Sequence, residues 1–319
     1  PIGESAPQTE SFATVMQKGL GRTICQDFYF PYARKIWGLD PSQISAEQAR
    51  RRVSAGSLGK MIRKVLNAVP GLKPKGSGRF FYPRQGFGQI SEAYYRDAIE
   101  HGAVMMLNTR LKSISNTLDG GKQIGFERNG QPGFLQADQV WSTIPITALA
   151  RSLDPAPPEL VFTAAGKMEF RAMILVYLVL EQDRFSEYDA HYLPAEEIPI
   201  TRLSEPKNYS GSSTPQGRTV LCAELPCNPD DRYWQMSDAE LGDMTQKALA
   251  MVGIPIRAPV LGFQTRRLRF AYPIYRQGYE EHFNCLDDWV DQVDGVLSFG
   301  RQGLFAHDNT HHALYMAYS

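Results

Sequence analysis

The sequence predicts an α/β (α+β) protein, in which helices cover a mixed, largely antiparallel sheet. Three observations lead to this prediction. Helical spacing of apolar residues dominates residues 1–75, strand patterns dominate residues 156–278, and residues 279–319 return to a helix–strand–helix order. Separate runs of helices and strands are typical of α+β proteins, whereas the alternating end is typical of a parallel α/β piece.

The first predicted elements are helical. Apolar positions return at helical spacing over residues 12–37, with GLGR as an interruption, and helical patterns continue over residues 40–69. Ser45 with Gln48 three residues later predicts a capping box at a helix start.

In residues 76–155 the sequence pattern changes from helices alone to strands, turns and helices. A short aromatic strand leads into a turn with Gly86 and Gly88, and an amphipathic helix runs to about residue 101. Strands follow at residues 104–107 and 111–114, and then a hairpin with Asn129-Gly130 as its turn. A last strand, at residues 139–143, ends before a short helix.

Strands dominate the next region, which contains one clear helix at residues 238–251. The predicted strands are residues 172–181, 198–203, 219–225 and 260–270. The end of the chain reads as a helix at residues 279–293, a strand at 295–299, a glycine turn and a final helix.

Composition excludes several classes of protein. The 34 basic and 34 acidic residues cancel, so no charge excess favours nucleic acid or a membrane surface. No apolar stretch reaches the roughly 20 residues of a membrane-spanning helix. The four cysteines form no CxxC pair, which predicts reduced thiols and a cytoplasmic location. His307, His311 and His312 lack an acidic third ligand at a motif spacing, so we predict no metal site.

The closing stretch GRQGLFAHDNTHHAL is the first candidate site. Its strand delivers Gly300, Arg301 and Gly303 to a turn, and a helix begins near Asp308 and Asn309, with Asp308 as the predicted N-cap. Free backbone amides and the positive dipole end of a helix start favour a phosphate or another anionic group. An ordinary capped helix after an ordinary turn explains the same residues.

Two further stretches are candidates. In YPRQGFGQI, Gly86 and Gly88 allow close backbone approach to a ligand, although a strand-to-helix turn also explains them. In FAYPIYRQGYEEH, the aromatic residues suit a flat pocket, although aromatic residues in strands are more often core. No Ser-His-Asp or Cys-His arrangement supports hydrolase chemistry.

Four stretches, in this order, resemble the FAD-dependent amine oxidase superfamily, in particular its branch of protoporphyrinogen-oxidase-like proteins and UDP-galactopyranose mutases. They are FYFPYARKIWGLDPSQISAEQARRRV, YPRQGFGQISEA, AYPIYRQGYEEH and GRQGLFAHDNTHHAL. The resemblance spans about residues 12–317. It implies a substrate domain and a discontinuous FAD-binding domain of Rossmann type.

The resemblance also implies roles for particular residues. Residues 76–155 and 279–319 would contribute to the FAD-binding domain, and residues 1–75 and 156–278 to the substrate domain. Gly300, Arg301 and Gly303 would lie near the FAD diphosphate or ribityl chain, with Asp308 and Asn309 facing the flavin carbonyl region. Gly86 and Gly88 would also bind the cofactor. The expected substrate contacts come from Phe87, Tyr272, Tyr275 and Arg267.

The N-terminal dinucleotide fingerprint of such a domain is not found, because GLGRT and GFGQIS lack the third glycine and a suitably placed acidic residue. We therefore expect a portion of a FAD-dependent oxidoreductase, excised from a longer protein, that transfers a hydride from an organic substrate to flavin. Alone, this portion should bind FAD weakly and be inactive.

Two alternatives stay open. The first is a flavin-dependent nucleotide-sugar mutase, whose substrate diphosphate would need cations such as Arg171, Arg202 and the cluster Arg266, Arg267 and Arg269. The second is a non-catalytic module that lost its cofactor.

Overall fold

The computed structural model describes residues 10–52 and 81–319, and the chain divides into two compact units. Unit 1 comprises Pro1–Gly102 and Arg171–Ala271, and unit 2 comprises Ala103–Phe170 and Tyr272–Ser319. Each unit is therefore built from two separate stretches of sequence.

The described strands are numbered β1 to β11 in chain order. They are β1 (Thr109–Asn116), β2 (Lys122–Arg128), β3 (Gln131–Ala137), β4 (Val140–Ser142), β5 (Leu153–Asp154), β6 (Phe170–Leu180), β7 (Ala190–Tyr192), β8 (Arg202–Ser204), β9 (Thr219–Cys227), β10 (Val260–Pro273) and β11 (Val296–Ser298). The described α-helices are Phe12–Leu20, Arg22–Ile24, Phe30–Trp37, Ala46–Arg52, Gly88–Glu100, Ile146–Ser152, Glu159–Lys167, Pro206–Ser210, Arg232–Gln235, Asp238–Met251, Tyr279–Val290, Gly300–Gly303 and Thr310–Tyr318.

Unit 1 begins with the predicted helical region. Gly21, with a φ of 85°, separates the first two helices, so the predicted interruption at GLGR is confirmed. A π-helical turn at Cys25–Tyr29 then leads directly into the helix Phe30–Trp37. The helices predicted beyond residue 52, and the first residues of the predicted aromatic strand, lie outside the described residues. The described part of this predicted aromatic strand, residues 81–83, does not form a strand.

The predicted capping box at Ser45 and Gln48 is wrong. The Ser45 hydroxyl accepts a hydrogen bond from the backbone N–H of Glu47, 3.3 Å away. The Gln48 side chain does not reach back to Ser45. It is fully buried, and neither atom of its amide has a hydrogen-bond partner among the described residues.

The main sheet of unit 1 has the strand order β10-β6-β9-β8-β7, and the pairs β6–β9, β9–β8 and β8–β7 are antiparallel. The helix Asp238–Met251, capped by Ser237 and Glu240, lies on the hydrophobic core of this sheet. The predicted strand at residues 198–203 is observed only as the shorter β8, and the carbonyl oxygen of Ile200 before it accepts a hydrogen bond from the Lys35 ammonium, 2.7 Å away.

Unit 2 contains a four-stranded sheet with the order β3-β2-β1-β5. Its hairpin turn lies at Asn129 and Gly130, both with positive φ, as predicted. The predicted strand at residues 104–107 is wrong. Val104 and Leu107 are largely exposed, and the left-handed Asn108 turns the chain immediately before β1.

A second sheet of unit 2 consists of two parallel strands, β4 and β11, with Trp141 opposite Leu297. Val296 is buried in the core of the unit, whereas Trp141 is 66% exposed and Leu297 is 48% exposed. Parallel strands are normally covered on both faces by helices. The protein is an α/β fold with mixed parallel and antiparallel sheets, as predicted.

Among the described residues, no helix combines the length and apolar character that crossing a bilayer requires. The same residues contain no cluster of His, Cys, Asp and Glu side chains suited to a metal ion. The four cysteines are free thiols.

Candidate functional site

The closing segment of unit 2 begins where β11 ends. Gly300 has a φ of +77°, which a residue with a Cβ adopts only with strain, and it starts the one-turn helix Gly300–Gly303. A Cβ on Gly303 would lie 2.8 Å from the Ser298 hydroxyl oxygen. The backbone geometry thus requires the first glycine, and packing against the preceding strand requires the second.

A strained turn follows this short helix. Phe305 is buried and has a φ of +47°, an uncommon conformation for a bulky residue. Its carbonyl oxygen accepts a hydrogen bond of 2.8 Å from the Tyr275 hydroxyl, and the N–H of Ala306 donates to the Arg301 carbonyl oxygen at 2.8 Å. These bonds fix the path of the chain into the final helix.

The final helix, Thr310–Tyr318, starts with Asn309 as its N-cap, one residue after the capping position predicted at Asp308. The backbone N–H of Asn309 donates to Nδ1 of His312 over 3.2 Å. Asn309 and Thr310 are exposed. The start of this helix is therefore exposed, and the first backbone N–H groups of any helix have no partner within the helix itself.

Arg301 lies beside this helix start. One guanidinium nitrogen donates to the Asp308 carbonyl oxygen at 3.3 Å, and the guanidinium carbon lies 5.2 Å from the centroid of the Tyr272 ring. His307 stacks on Tyr272, with 6.0 Å between the ring centroids, and meets the edge of Tyr275 at 4.8 Å. The structure thus brings together residues that the sequence assigned separately to cofactor and substrate.

These residues fit a flavin in their chemistry. The helix start carries a partial positive charge, and Arg301 adds a full one. Both suit an electron-rich carbonyl group or a diphosphate. Unlike Arg301, Tyr275 is a core residue whose side chain is only 2% exposed. Its predicted contact with substrate stays a prediction.

The second glycine turn lies in unit 1. Gly86 has a φ of +97°, so the backbone requires a glycine there. A Cβ on Gly86 or Gly88 would meet no atom within 4 Å, which leaves the surrounding space open. Phe87 is 52% exposed, and its ring lies 6.3 Å from that of Tyr82.

The arginines that the sequence predicted to contact substrate form hydrogen bonds or ion pairs within unit 1. The Arg267 guanidinium donates to the carbonyl oxygens of Trp234 and Met236 and to the Thr265 hydroxyl. Arg171, which is buried, donates to the Ile36 carbonyl and to the Asn228 side chain. Arg202 pairs with Glu224. A substrate contact by any of these arginines would compete with the existing bonds.

Sequence reasoning missed an aromatic cavity in unit 1. It has a volume of about 390 Å³ and is lined by Phe12, Phe28, Tyr29, Tyr32, Ala33, Ile36, Trp37, Gln48 and Tyr192. Phe28 and Tyr32 stack at 5.7 Å with an interplanar angle of 11°. The buried Gln48 amide contributes a donor and an acceptor whose hydrogen bonds no described residue supplies. The cavity therefore suits a planar ring with a polar edge.

Lys35 holds the helix of this cavity in place. Its ammonium donates to the carbonyl oxygens of Leu193, Ala195 and Ile200 at 2.6, 2.8 and 2.7 Å. Burial lowers the pKa of Lys35 to about 8. The lysine of the motif KIWG thus has a structural role that the local sequence does not reveal.

The sequence matches no protein-family model and no curated protein, so the comparisons rest on solved structures. A structure of reduced UDP-galactopyranose mutase matches 98% of this chain with a TM-score of 0.75 and 17% identity, over 67% of that chain.

Two other solved structures show the same relationship. A proposed protoporphyrinogen oxidase from Exiguobacterium sp. 255-15 matches 94% of this chain with a TM-score of 0.65 and 19% identity, over 64% of that chain. Putrescine oxidase bound to putrescine matches 97% with a TM-score of 0.64 and 16% identity, over 66% of that chain.

The chain thus has the fold of these solved structures, which confirms the resemblance predicted from the motifs at the level of the fold. It spans about two thirds of the length of the structures that it matches.

Proposed function

We propose that this chain supplies the substrate-binding unit and the closing segment of the flavin-binding unit of an FAD-dependent oxidoreductase. The observation that carries the proposal is the position of Arg301 beside an exposed helix start, in a chain with a flavoprotein fold. When bound, FAD supplies the acceptor for a hydride from an organic substrate.

The chain's own residues contribute electrostatics and shape. Arg301 and the first amides of the helix Thr310–Tyr318 stabilise negative charge on a group held against them. Tyr272 supports the Arg301 guanidinium from its ring face. The turn at Phe305 fixes the backbone that leads into this helix.

The parallel pair β4–β11 is consistent with a partial Rossmann sheet. Because the glycine fingerprint for the FAD diphosphate is not present in residues 1–319, we propose that the isolated chain holds FAD weakly and does not turn over substrate. The cytoplasm, predicted from the reduced thiols, is the proposed location.

An FAD titration tests this proposal. Purified chain is titrated with FAD, flavin fluorescence and visible absorbance are recorded, and the sample is then desalted. We expect a weak, saturable response, no flavin after desalting, and an affinity about ten-fold lower for Arg301→Gln through loss of a charged contact. Arg128→Gln, an exposed arginine of unit 2, is the control and should bind like the wild type.

The two parts of the proposal fail separately. Flavin bands that survive desalting would show that the chain alone binds FAD tightly. Equal FAD affinity of Arg301→Gln and wild type would remove the closing segment from the flavin site.

A second function, nucleotide-sugar mutase, is favoured by the aromatic cavity. Stacked Phe28 and Tyr32 with a buried Gln48 amide suit a nucleobase, which presents a flat ring and a donor–acceptor edge. Titration with UDP-galactopyranose, followed by tryptophan fluorescence, separates the two functions. Saturable binding that Gln48→Leu weakens supports the mutase, and no response by the wild type supports an oxidoreductase with another substrate.

A further inference from the structure

A second cavity of unit 1 is separate from the closing segment and from the aromatic cavity, although Gly86 of the glycine turn forms part of its wall. Its volume is about 570 Å³, and it lies between the glycine turn and the loop that leads into β9. The stacked rings of Tyr82 and Tyr209, 5.7 Å apart, connect these two walls. The lining consists of Arg84, Gln85, Gly86, Val179, Pro206, Lys207, Ser210, Ser212, Thr214, Pro215, Arg218, Thr219 and Val220.

The charge of this cavity is one-sided. Its lining residues include the cations Arg84, Lys207 and Arg218 and no carboxylate. Arg84 and Arg218 are exposed and form no ion pair with any described residue. Two arginines from separate segments thus remain available to an anion.

Lys207 differs because its side chain is only 7% exposed. Its ammonium donates to the carbonyl oxygens of Pro215 and Arg218 at 2.7 and 3.0 Å, which fixes it in the cavity wall. The nearest carboxylate, that of Asp183, is 72% exposed and lies 3.8 Å away. This ion pair is long and its carboxylate is solvated, so a second anion in the cavity would add to the stabilisation of the buried ammonium.

Hydroxyl groups complete the lining. Ser210 donates to the carbonyl oxygen of Lys207, and Ser212 and Thr214 contact each other at 3.0 Å. Hydroxyl groups both donate and accept, and they rotate to suit a bound group. Gly86 contributes a wall without a side chain, and a Cβ there would meet open space.

We propose that this cavity binds a phosphorylated small molecule, with Arg84 and Arg218 as direct ligands and Lys207 as the buried charge beneath them. Guanidinium groups favour phosphate through charge-assisted, bidentate hydrogen bonds. The site goes beyond the proposed flavin function, since it uses neither the closing segment nor the aromatic cavity.

Calorimetric titration with pyrophosphate, at constant ionic strength, tests the proposal. We expect saturable binding by the wild type and about ten-fold weaker binding by Arg84→Gln and by Arg218→Gln. Arg257→Gln, an exposed arginine elsewhere in unit 1, is the matched control and should leave the affinity unchanged. Equal affinities of all four proteins, or no saturable heat with the wild type, would overturn the proposal.

Two further titrations define the ligand and separate this site from the flavin site. Citrate carries a similar charge without phosphorus, so citrate binding as tight as that of pyrophosphate would contradict a phosphate site. Arg84→Gln should keep the wild-type response to FAD while losing affinity for pyrophosphate. A parallel loss of both would place both ligands in one site and overturn the separate cavity.

Discussion

The hydroxyl of Tyr275 donates a hydrogen bond of 2.8 Å to the carbonyl oxygen of Phe305, whose backbone is left-handed with a φ of +47°. Both residues are buried in the core of unit 2, where Tyr275 also stacks on Tyr279 with 4.2 Å between the rings. A hydrogen bond from the core therefore holds the strained turn that leads to the candidate flavin segment.

Removing this hydroxyl should weaken the turn. For Tyr275→Phe we expect the free energy of unfolding to fall by about 1–2 kcal/mol, because the ring stays packed while a buried carbonyl loses its donor. Urea unfolding followed by tryptophan fluorescence measures the change. Tyr318→Phe, at an exposed position, is the control. A Tyr275→Phe variant as stable as the wild type would show that packing alone holds the turn.

Lys35 should be essential for the stability of unit 1. Lys35→Met keeps the aliphatic chain but removes the donor to three carbonyl groups, so we expect a loss of about 2–3 kcal/mol. Lys18→Met, at an exposed helix position, should change stability little. Thermal unfolding of the three proteins checks this, and similar transition temperatures would contradict it.

The same lysine predicts a pH dependence. Its pKa is about 8 in the folded chain, against the ordinary 10.5. Between these values the unfolded chain binds more protons, so the free energy of unfolding gains a contribution that rises with pH. The stability advantage of wild type over Lys35→Met should therefore grow from about pH 8 to about pH 10, within the window between these pKa values. Urea midpoints at both pH values measure it, and a constant or shrinking advantage would refute the assignment.

Gly303 gives a test of close packing. The Cβ of Gly303→Ala would lie 2.8 Å from the Ser298 hydroxyl oxygen, so we expect a loss of about 1–3 kcal/mol. Combining it with Ser298→Ala removes the clashing oxygen and should recover part of this loss. Gly88→Ala, whose Cβ meets open space at a helix start, is the control and should be neutral or slightly stabilising. A tolerated Gly303→Ala would mean that this glycine serves something other than packing.

Local pattern determined much of the secondary structure. The helix Asp238–Met251 has its predicted bounds, because Ser237 and Glu240 form a cap next to helically spaced apolar residues. The hairpin at Asn129-Gly130 is equally local, since both residues accept the positive φ that the turn needs. The four ordered motifs also led to the fold that the structural comparisons found.

Packing between residues far apart in sequence determined the features that the local sequence pattern did not predict. Ser45 and Gln48 have the spacing of a capping box, yet packing buries Gln48 at the wall of an aromatic cavity. Residues 198–200 have strand character, yet the Ile200 carbonyl bonds to Lys35, far away in sequence. Neither the packing partners of Gln48 nor Lys35 lies close in sequence to the residues concerned. A prediction from neighbouring residues therefore cannot compare these contacts with the intrinsic propensity for a helix or strand.

The sequence by itself determined the fold class, the helical start, the hairpin and the presence of a glycine turn before a final helix. Only the tertiary structure decided that Arg301 and Tyr272 meet, that Arg267 bonds within its own unit, and that two cavities lie in unit 1. The physical reason is the distance along the chain over which each kind of interaction acts. Propensity and capping act over a few neighbouring residues, whereas sites form from side chains that folding brings together across the chain.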